Sequence, residues 1–151
     1  MDRQTQVEVL LDHFNNPRHR HKMEDADVVM PGGNPGCGDV VTLYLKVADQ
    51  KIAATSFVGS GCTISQSAAS ILMEMVNGRD TSLEDIVAMD FEDMVDALGR
   101  ETVSSRPRCA TLALGTLKAA VKRYLRNKLR AEHGLPLEAN ASEEELDEFL
   151  I

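Results

Sequence analysis

The residues of this chain best equipped for chemistry are its three cysteines, each set at a break in the hydrophobic pattern. Cys37 lies in Gly32-Gly33-Asn34-Pro35-Gly36-Cys37-Gly38-Asp39, where flanking glycines let backbone approach a ligand without a Cβ clash. Cys37 and Asp39 therefore offer a thiolate and a carboxylate from one loop just before a strand, both acceptable ligands for zinc or iron. Cys62 follows the Gly59-Ser60-Gly61 turn into a helix, and Cys109 stands behind Pro107 at the start of another. The unpaired N–H groups and positive macrodipole end at a helix start favour thiolate over thiol, which suits both residues to metal ligation or nucleophilic attack. Arg106 and Arg108 flank Cys109 and are expected to act in the same direction.

Successive cysteines are 25 and 47 positions apart, so no paired C-x2-C zinc-finger spacing exists. The signal is their placement at element boundaries rather than within apolar runs, where three unrelated buried cysteines would lie. An odd cysteine count, behind the polar start Met1-Asp2-Arg3-Gln4-Thr5, argues against a disulfide framework and leads to the expectation of a cytoplasmic protein without a secretory signal. Three thiolates and the Asp39 carboxylate carry −4 together, against +2 from zinc, and Arg106 and Arg108 would offset part of the remainder. If all four ligands are used, the site closes as a tetrahedron, with the oxygen ligand expected to make it more labile than four thiolates would.

The elements that must position these residues read as follows. Thr5 to Asn15 has Val7, Leu10, Leu11 and Phe14 at helical spacing and a Thr5/Glu8 capping-box pattern, with Pro17 ending it. Asp39–Val47 and Lys51–Val58 alternate and are rich in β-branched residues, and Asp49-Gln50 between them makes a hairpin. From Cys62 a stripe of Ile64, Ala68, Ile71, Leu72 and Met75 runs to the stop at Asn77-Gly78. A helical region follows from a Thr81/Glu84 cap, continuing with or without a break at Asp90 to Gly99, and a last long helix runs from Cys109 to about Glu132 with Ala113, Leu117, Ala120 and Tyr124 on one face. This is an α+β plan: a small antiparallel sheet with helices packed on one face. Residues 1–134 are expected to form one domain and 135–151 an acidic C-terminal tail or short appended helix.

A net charge of −8 disfavours nucleic acid as a partner, and no apolar run approaches the roughly 20 residues needed to span a bilayer, so no membrane is expected either. The basic residues cluster in Arg18-His19-Arg20-His21-Lys22 and along the last helix, and read as a solvated face or a docking surface for an acidic partner. His13, His19, His21 and His133 are remote in sequence from the cysteines and read as surface or helix residues; the seven methionines read as core filler.

Three segments, Gly33-Asn34-Pro35-Gly36-Cys37-Gly38-Asp39, Gly59-Ser60-Gly61-Cys62-Thr63-Ile64-Ser65 and Arg106-Pro107-Arg108-Cys109-Ala110-Thr111-Leu112, resemble the iron–sulfur cluster assembly scaffold family of IscU, SufU and the amino-terminal domain of NifU. The match in order and separation covers about 130 residues, leaving the acidic tail outside it. The resemblance implies that Cys37, Asp39, Cys62 and Cys109 are the metal ligands and that a pyridoxal-phosphate cysteine desulfurase passes persulfide sulfur to a scaffold cysteine; likeness to SufU and the glycine loop favour Cys37 as the entry point, whereas the helix start and flanking arginines favour Cys109. It also implies that the chain carries zinc, or iron as a transient [2Fe–2S] cluster, and hands sulfur or cluster to downstream assembly or acceptor proteins. Arg108 stands where IscU-type members have a histidine, and Thr102-Val103-Ser104-Ser105-Arg106 stands in the region of their chaperone-binding Leu-Pro-Pro-Val-Lys segment. Arg106-x-x-Cys109-Ala110-Thr111-Leu112 looks like the SufU branch, although the 46 residues between Cys62 and Cys109 leave little room for the insert usual there. A zinc-dependent sulfurtransferase relaying sulfur to a separate complex and a purely structural zinc module are the competing readings. The second is disfavoured because a domain of this apolar content needs no staple.

Overall fold

A computed structural model of the chain describes residues 2–34 and 38–140. Cys37 and residues 141–151 lie outside the described residues. The elements run α1 (Arg3–Asn15), β1 (Val28–Asn34), β2 (Asp39–Ala48), β3 (Lys51–Ser60), α2 (Thr63–Val76), α3 (Leu83–Ala88), α4 (Phe91–Leu98), α5 (Arg100–Val103) and α6 (Pro107–Glu132). The strands form an antiparallel sheet in the order β1-β2-β3, confirming the expected hairpin and adding a strand in front of it.

That added strand was not legible as one because Pro31-Gly32-Gly33 sits inside it. Proline cannot donate to a ladder and is tolerated only at a sheet edge, which is where β1 lies, pairing Pro31 with Thr42 of β2. Gly32 has a further reason: a Cβ there would fall 1.9 Å from Thr116 Oγ1 of α6, so its missing side chain lets the long helix lie against the strand. The opposite edge of the sheet is closed by other segments. Ile52 N–H donates to Thr81 O at 2.9 Å, Thr55 N–H to Asn77 Oδ1 at 3.0 Å and Phe57 N–H to His19 O at 3.0 Å, leaving these β3 donors paired rather than open to another chain.

Alternate residues Val41, Leu43 and Leu45 of β2 are fully buried and meet Ala68, Leu72 and Met73 of α2 and Ala113, Leu114, Leu117 and Val121 of α6 in one core. The expected stripes of both helices are thus largely correct, with Ile64, Ile71, Met75 and Tyr124 packed at the margin. The caps differ from expectation by one position or more. Asp2, not Thr5, caps α1 through Oδ1 and Thr5 N–H at 2.8 Å. Ser82 and Asp85 form the box of α3, rather than Thr81 and Glu84, and a second box of Asp90 and Asp93 starts α4 as a separate helix. On α1 only Leu10 of the expected apolar face is buried; Val7, Leu11 and Phe14 are exposed. The helix instead docks on α2 through polar contacts, Ser67 Oγ donating to Leu10 O at 2.6 Å and His13 Nδ1 meeting Ser70 Oγ at 2.7 Å.

Beyond α6 the chain turns back along it. Arg126 pairs with Glu138 at 2.8 Å, Asn127 bonds both backbone groups of Glu138, and Val29 N–H on the free edge of β1 donates to Asn140 Oδ1 at 3.1 Å. Among the described residues no helix is long and apolar enough to cross a membrane.

Candidate metal centre

Asp39, Cys62 and Cys109 come from three different elements: the start of β2, the N-cap of α2 and the first turn of α6. The fold brings them together, with one ligand atom from each lying within 4.8 Å of the others. Cys37, the fourth ligand candidate, lies outside the described residues, two positions before Asp39. No histidine joins the group among the described residues, and His13, read from the sequence as a surface or helix residue, lies in α1 as a buried partner of Ser70.

Asp39 is the hub. Its side chain is 1% exposed, and its two oxygens have different duties. Oδ1 accepts the Cys62 N–H at 2.6 Å and the Ser65 hydroxyl at 3.0 Å, which fixes the carboxylate to the start of α2. Oδ2 accepts the Cys109 thiol at 3.0 Å. Burial pushes the carboxyl up, but the bonds from Cys109, Cys62 and Ser65 outweigh it and hold Asp39 below the usual carboxylate range. Asp39 is therefore an anion at neutral pH, fixed by Oδ1 and presenting Oδ2 to the sulfur.

The helix start at Cys62 follows directly from local sequence. Cys62 has extended backbone at the N-cap of α2, and its sulfur accepts the Ser65 N–H at 3.5 Å, an interaction normally made by a serine or aspartate oxygen. Gly61 before it adopts φ +148°, and a Cβ there would sit 2.2 Å from Asp39 Oδ1. Both constraints demand glycine, so the turn read from Gly59-Ser60-Gly61 doubles as space for the carboxylate. Ser65 was not singled out from sequence. The signal that could have found it is its place at the third position of α2, where a hydroxyl reaches back to the capping residue.

Cys109 corrects an expectation. Its position near the α6 start favours thiolate, yet it is 1% exposed, and burial together with the adjacent Asp39 anion and Cys62 pushes its thiol up to about 12. Arg106 and Arg108, expected to oppose this, are exposed at the helix start, where solvent weakens their pull. Without a metal the sulfur keeps its proton and donates it to Asp39. A divalent ion placed among these atoms would replace that proton as the positive partner of both groups. Two sulfurs and a carboxylate oxygen, one of them within 3.0 Å of another, form a donor set suited to zinc or iron.

A family model described as the NifU-like N terminal domain matches residues 5–131. The iron–sulfur cluster assembly scaffold protein IscU 1 of Archaeoglobus fulgidus is 36% identical over 117 residues, covering 78% of this chain and 74% of that protein. The zinc-dependent sulfurtransferase SufU of Bacillus subtilis is 30% identical over 129 residues, covering 76% of this chain and 87% of that protein. Among solved structures, a candidate iron–sulfur cluster assembly scaffold protein for the SUF system from Fervidobacterium islandicum AW-1 superposes with a TM-score of 0.66 at 25% identity, covering 76% of this chain and 94% of that one.

Proposed function

The chain belongs to the NifU-like N-terminal domain family, and from that premise we propose that it is an iron–sulfur cluster assembly scaffold that binds metal and accepts persulfide sulfur from a cysteine desulfurase. The observation that carries this reading is the convergence of Asp39, Cys62 and Cys109 around one point. Cys37, Asp39, Cys62 and Cys109 are the proposed ligands, and iron and sulfide are the cargo assembled on them. When bound, zinc or iron supplies a positive centre that holds the sulfurs as thiolates.

What the chain's own residues do can be followed from the geometry. Asp39 Oδ2 is the acceptor for the Cys109 proton, and Oδ1 is held by Cys62 N–H and Ser65 so that the carboxylate cannot swing away. In sulfur acceptance a scaffold thiolate attacks the terminal sulfur of the desulfurase persulfide. The new S–S bond forms as the donor's own S–S bond breaks, and the donor cysteine leaves as thiolate. Cys109 is a poor entry point because it is almost wholly buried and its thiol is held by Asp39, which favours Cys37 as the first acceptor. Substituting each cysteine by serine and labelling persulfide after incubation with a desulfurase and cysteine tests this. Cys37→Ser abolishes the label in this account, and label surviving that change while lost in Cys109→Ser would reverse the assignment.

The alternative, a zinc-dependent sulfurtransferase in which sulfur rather than a cluster departs, uses the same four residues. The likeness to the SufU protein favours it over a purely structural zinc module. The extensive core built by β2, α2 and α6 also argues against a fold that depends on its metal.

A further inference from the structure

A groove follows α6 from Arg108 to Lys122, with β1 and α4 as its other walls. Its half nearer the cysteines has a volume of about 500 Å³ and the farther half about 510 Å³, and the two are continuous through Phe91, Gly115 and Ala119. The floor is apolar. Phe91, the first residue of α4, stays 42% exposed, and its ring lies over Gly115, where a built Cβ would meet it at 3.7 Å. Leu112 and Pro31 extend this surface toward Arg108, and Met30 extends it toward Lys122.

The edge of the groove is cationic and unneutralised. Arg18, Lys46, Lys51, Arg100 and Arg126 each pair with a carboxylate, whereas Arg108, Lys118 and Lys122 pair with none among the described residues. Lys118 reaches the Val87 and Met89 carbonyls instead and stands 5.0 Å from the centroid of the Phe91 ring. No acidic residue lines either half among the described residues, although the chain as a whole carries a net charge of −8. Arg108 and Lys122 are both exposed, and their separation of 14 positions is nearly four helical turns, so they mark one side of α6 about 21 Å apart. A solvated basic face needs neither an exposed aromatic ring nor a concave apolar floor between its cations. The combination has the make-up of a recognition surface, an apolar centre with a charged rim.

We propose that this groove docks an acidic amphipathic segment of a partner protein, with apolar residues on Phe91 and Leu112 and carboxylates at Arg108 and Lys122. The occupant follows from charge complementarity: the free cations require anions, and the floor between them requires apolar side chains. Cations on the rim speed encounter with an acidic partner and lose their hold as salt rises, which suits a contact that forms and breaks repeatedly. The near end of the groove is Arg108, next to Cys109, so the docked segment brings its own protein up to the cysteine centre. Only the purpose of that placement, delivery or collection of cargo, rests on the assembly reading; the binding itself does not.

The test titrates isotopically labelled full-length protein with a synthetic peptide of about 14 residues, long enough as a helix to span the groove, that has leucines at i, i+3 and i+7 and glutamates between them. Saturable shifts are expected in the amides of Phe91, Arg108, Leu112, Gly115, Ala119 and Lys122. They fade as salt is raised from about 0.1 M to 1 M, which shortens the screening length from about 10 Å to 3 Å. Arg108→Glu with Lys122→Glu, at exposed side chains outside the core, weakens binding by about 10-fold or more and lets the variant take up the same peptide with lysine in place of glutamate. Shifts that do not saturate, shifts centred elsewhere, or an affinity indifferent to the charge reversal would overturn the proposal. Groove amides that move in the free protein with its own concentration, or with Glu144→Lys and Glu145→Lys, would overturn it too, by assigning the groove to a second copy or to the chain's own acidic end. The titration needs no metal, desulfurase or sulfur, so its failure leaves the assembly reading standing.

Discussion

Replacing Gly61 with alanine isolates the part of the centre that local sequence builds. The new Cβ would lie 2.2 Å from Asp39 Oδ1 and 3.0 Å from its Cα. Restoring ordinary contact near 3.5 Å requires the carboxylate to retreat by about 1 Å. That retreat breaks or strains the bonds from Cys62 N–H at 2.6 Å and Ser65 Oγ at 3.0 Å, each worth about 1.5–3 kcal/mol because the acceptor is charged. The φ of +148° lies outside the left-handed helical well and adds a backbone penalty of about 1–3 kcal/mol for alanine. Gly78 provides a control for positive φ without the contact, since it adopts φ +69°, inside the left-handed well, with nothing within 4 Å of a built Cβ. Urea unfolding of the metal-free proteins is therefore expected to show Gly61→Ala less stable than Gly78→Ala by about 2–4 kcal/mol. Zinc affinity, read by competition with a chromophoric chelator, falls about 10–100-fold in Gly61→Ala and is unchanged in Gly78→Ala. Equal stability and equal zinc affinity in the two variants would refute the reasoning that Gly61 exists to seat Asp39.

Asp39→Ala leaves the Cys62 N–H without its acceptor, at a cost of about 1–3 kcal/mol, while the Ser65 hydroxyl turns to Cys62 O at 3.1 Å; the unfolding free energy falls but the fold stands. With the hard oxygen ligand gone, a bound cluster is released several-fold more slowly to an apo-acceptor, and an unchanged release rate would remove that role from Asp39. His13 is held below its ordinary value of 6.5 by burial first and by Arg18 second, with Glu74 and Asp12 opposing. The fold therefore favours neutral His13: its contribution is complete above about pH 6.5 and is lost as pH falls toward the folded value. His13→Gln should flatten the acid limb of a stability-against-pH curve, and an unaltered limb would place the acid sensitivity elsewhere.

The parts of the fold legible in the sequence were those where one pattern acts alone. The β2–β3 hairpin alternates cleanly, and α2 and α6 carry stripes bounded by glycine, asparagine and proline. β1 was hidden because Pro31-Gly32-Gly33 spells a loop, and only its place at a sheet edge under Thr116 makes those residues acceptable in a strand. The α1 face was misjudged for the opposite reason: its apolar spacing is real, but the contacts that seat it are the polar ones of Leu10 O and His13 with Ser67 and Ser70. In the centre, residue types identified Asp39, Cys62 and Cys109, while the state of Cys109 depended on tertiary burial beside an anion 70 positions away. Ser65 escaped notice because a serine early in a helix has a local explanation, and its bond to Asp39 crosses 26 positions.

The central claim is that the Asp39, Cys62 and Cys109 cluster serves assembly or transfer of sulfur on a metal. Metal and acid-labile sulfide analysis of anaerobically purified protein tests it most directly, before and after incubation with a cysteine desulfurase, cysteine and ferrous iron. The scaffold account predicts iron and sulfide in equal amounts afterwards, released to an apo-acceptor. About one tightly held zinc per chain, with persulfide forming and no iron taken up, would instead support the sulfur-transfer alternative. Neither iron nor persulfide acquired, with unfolding on zinc removal, would contradict both and leave a structural zinc module.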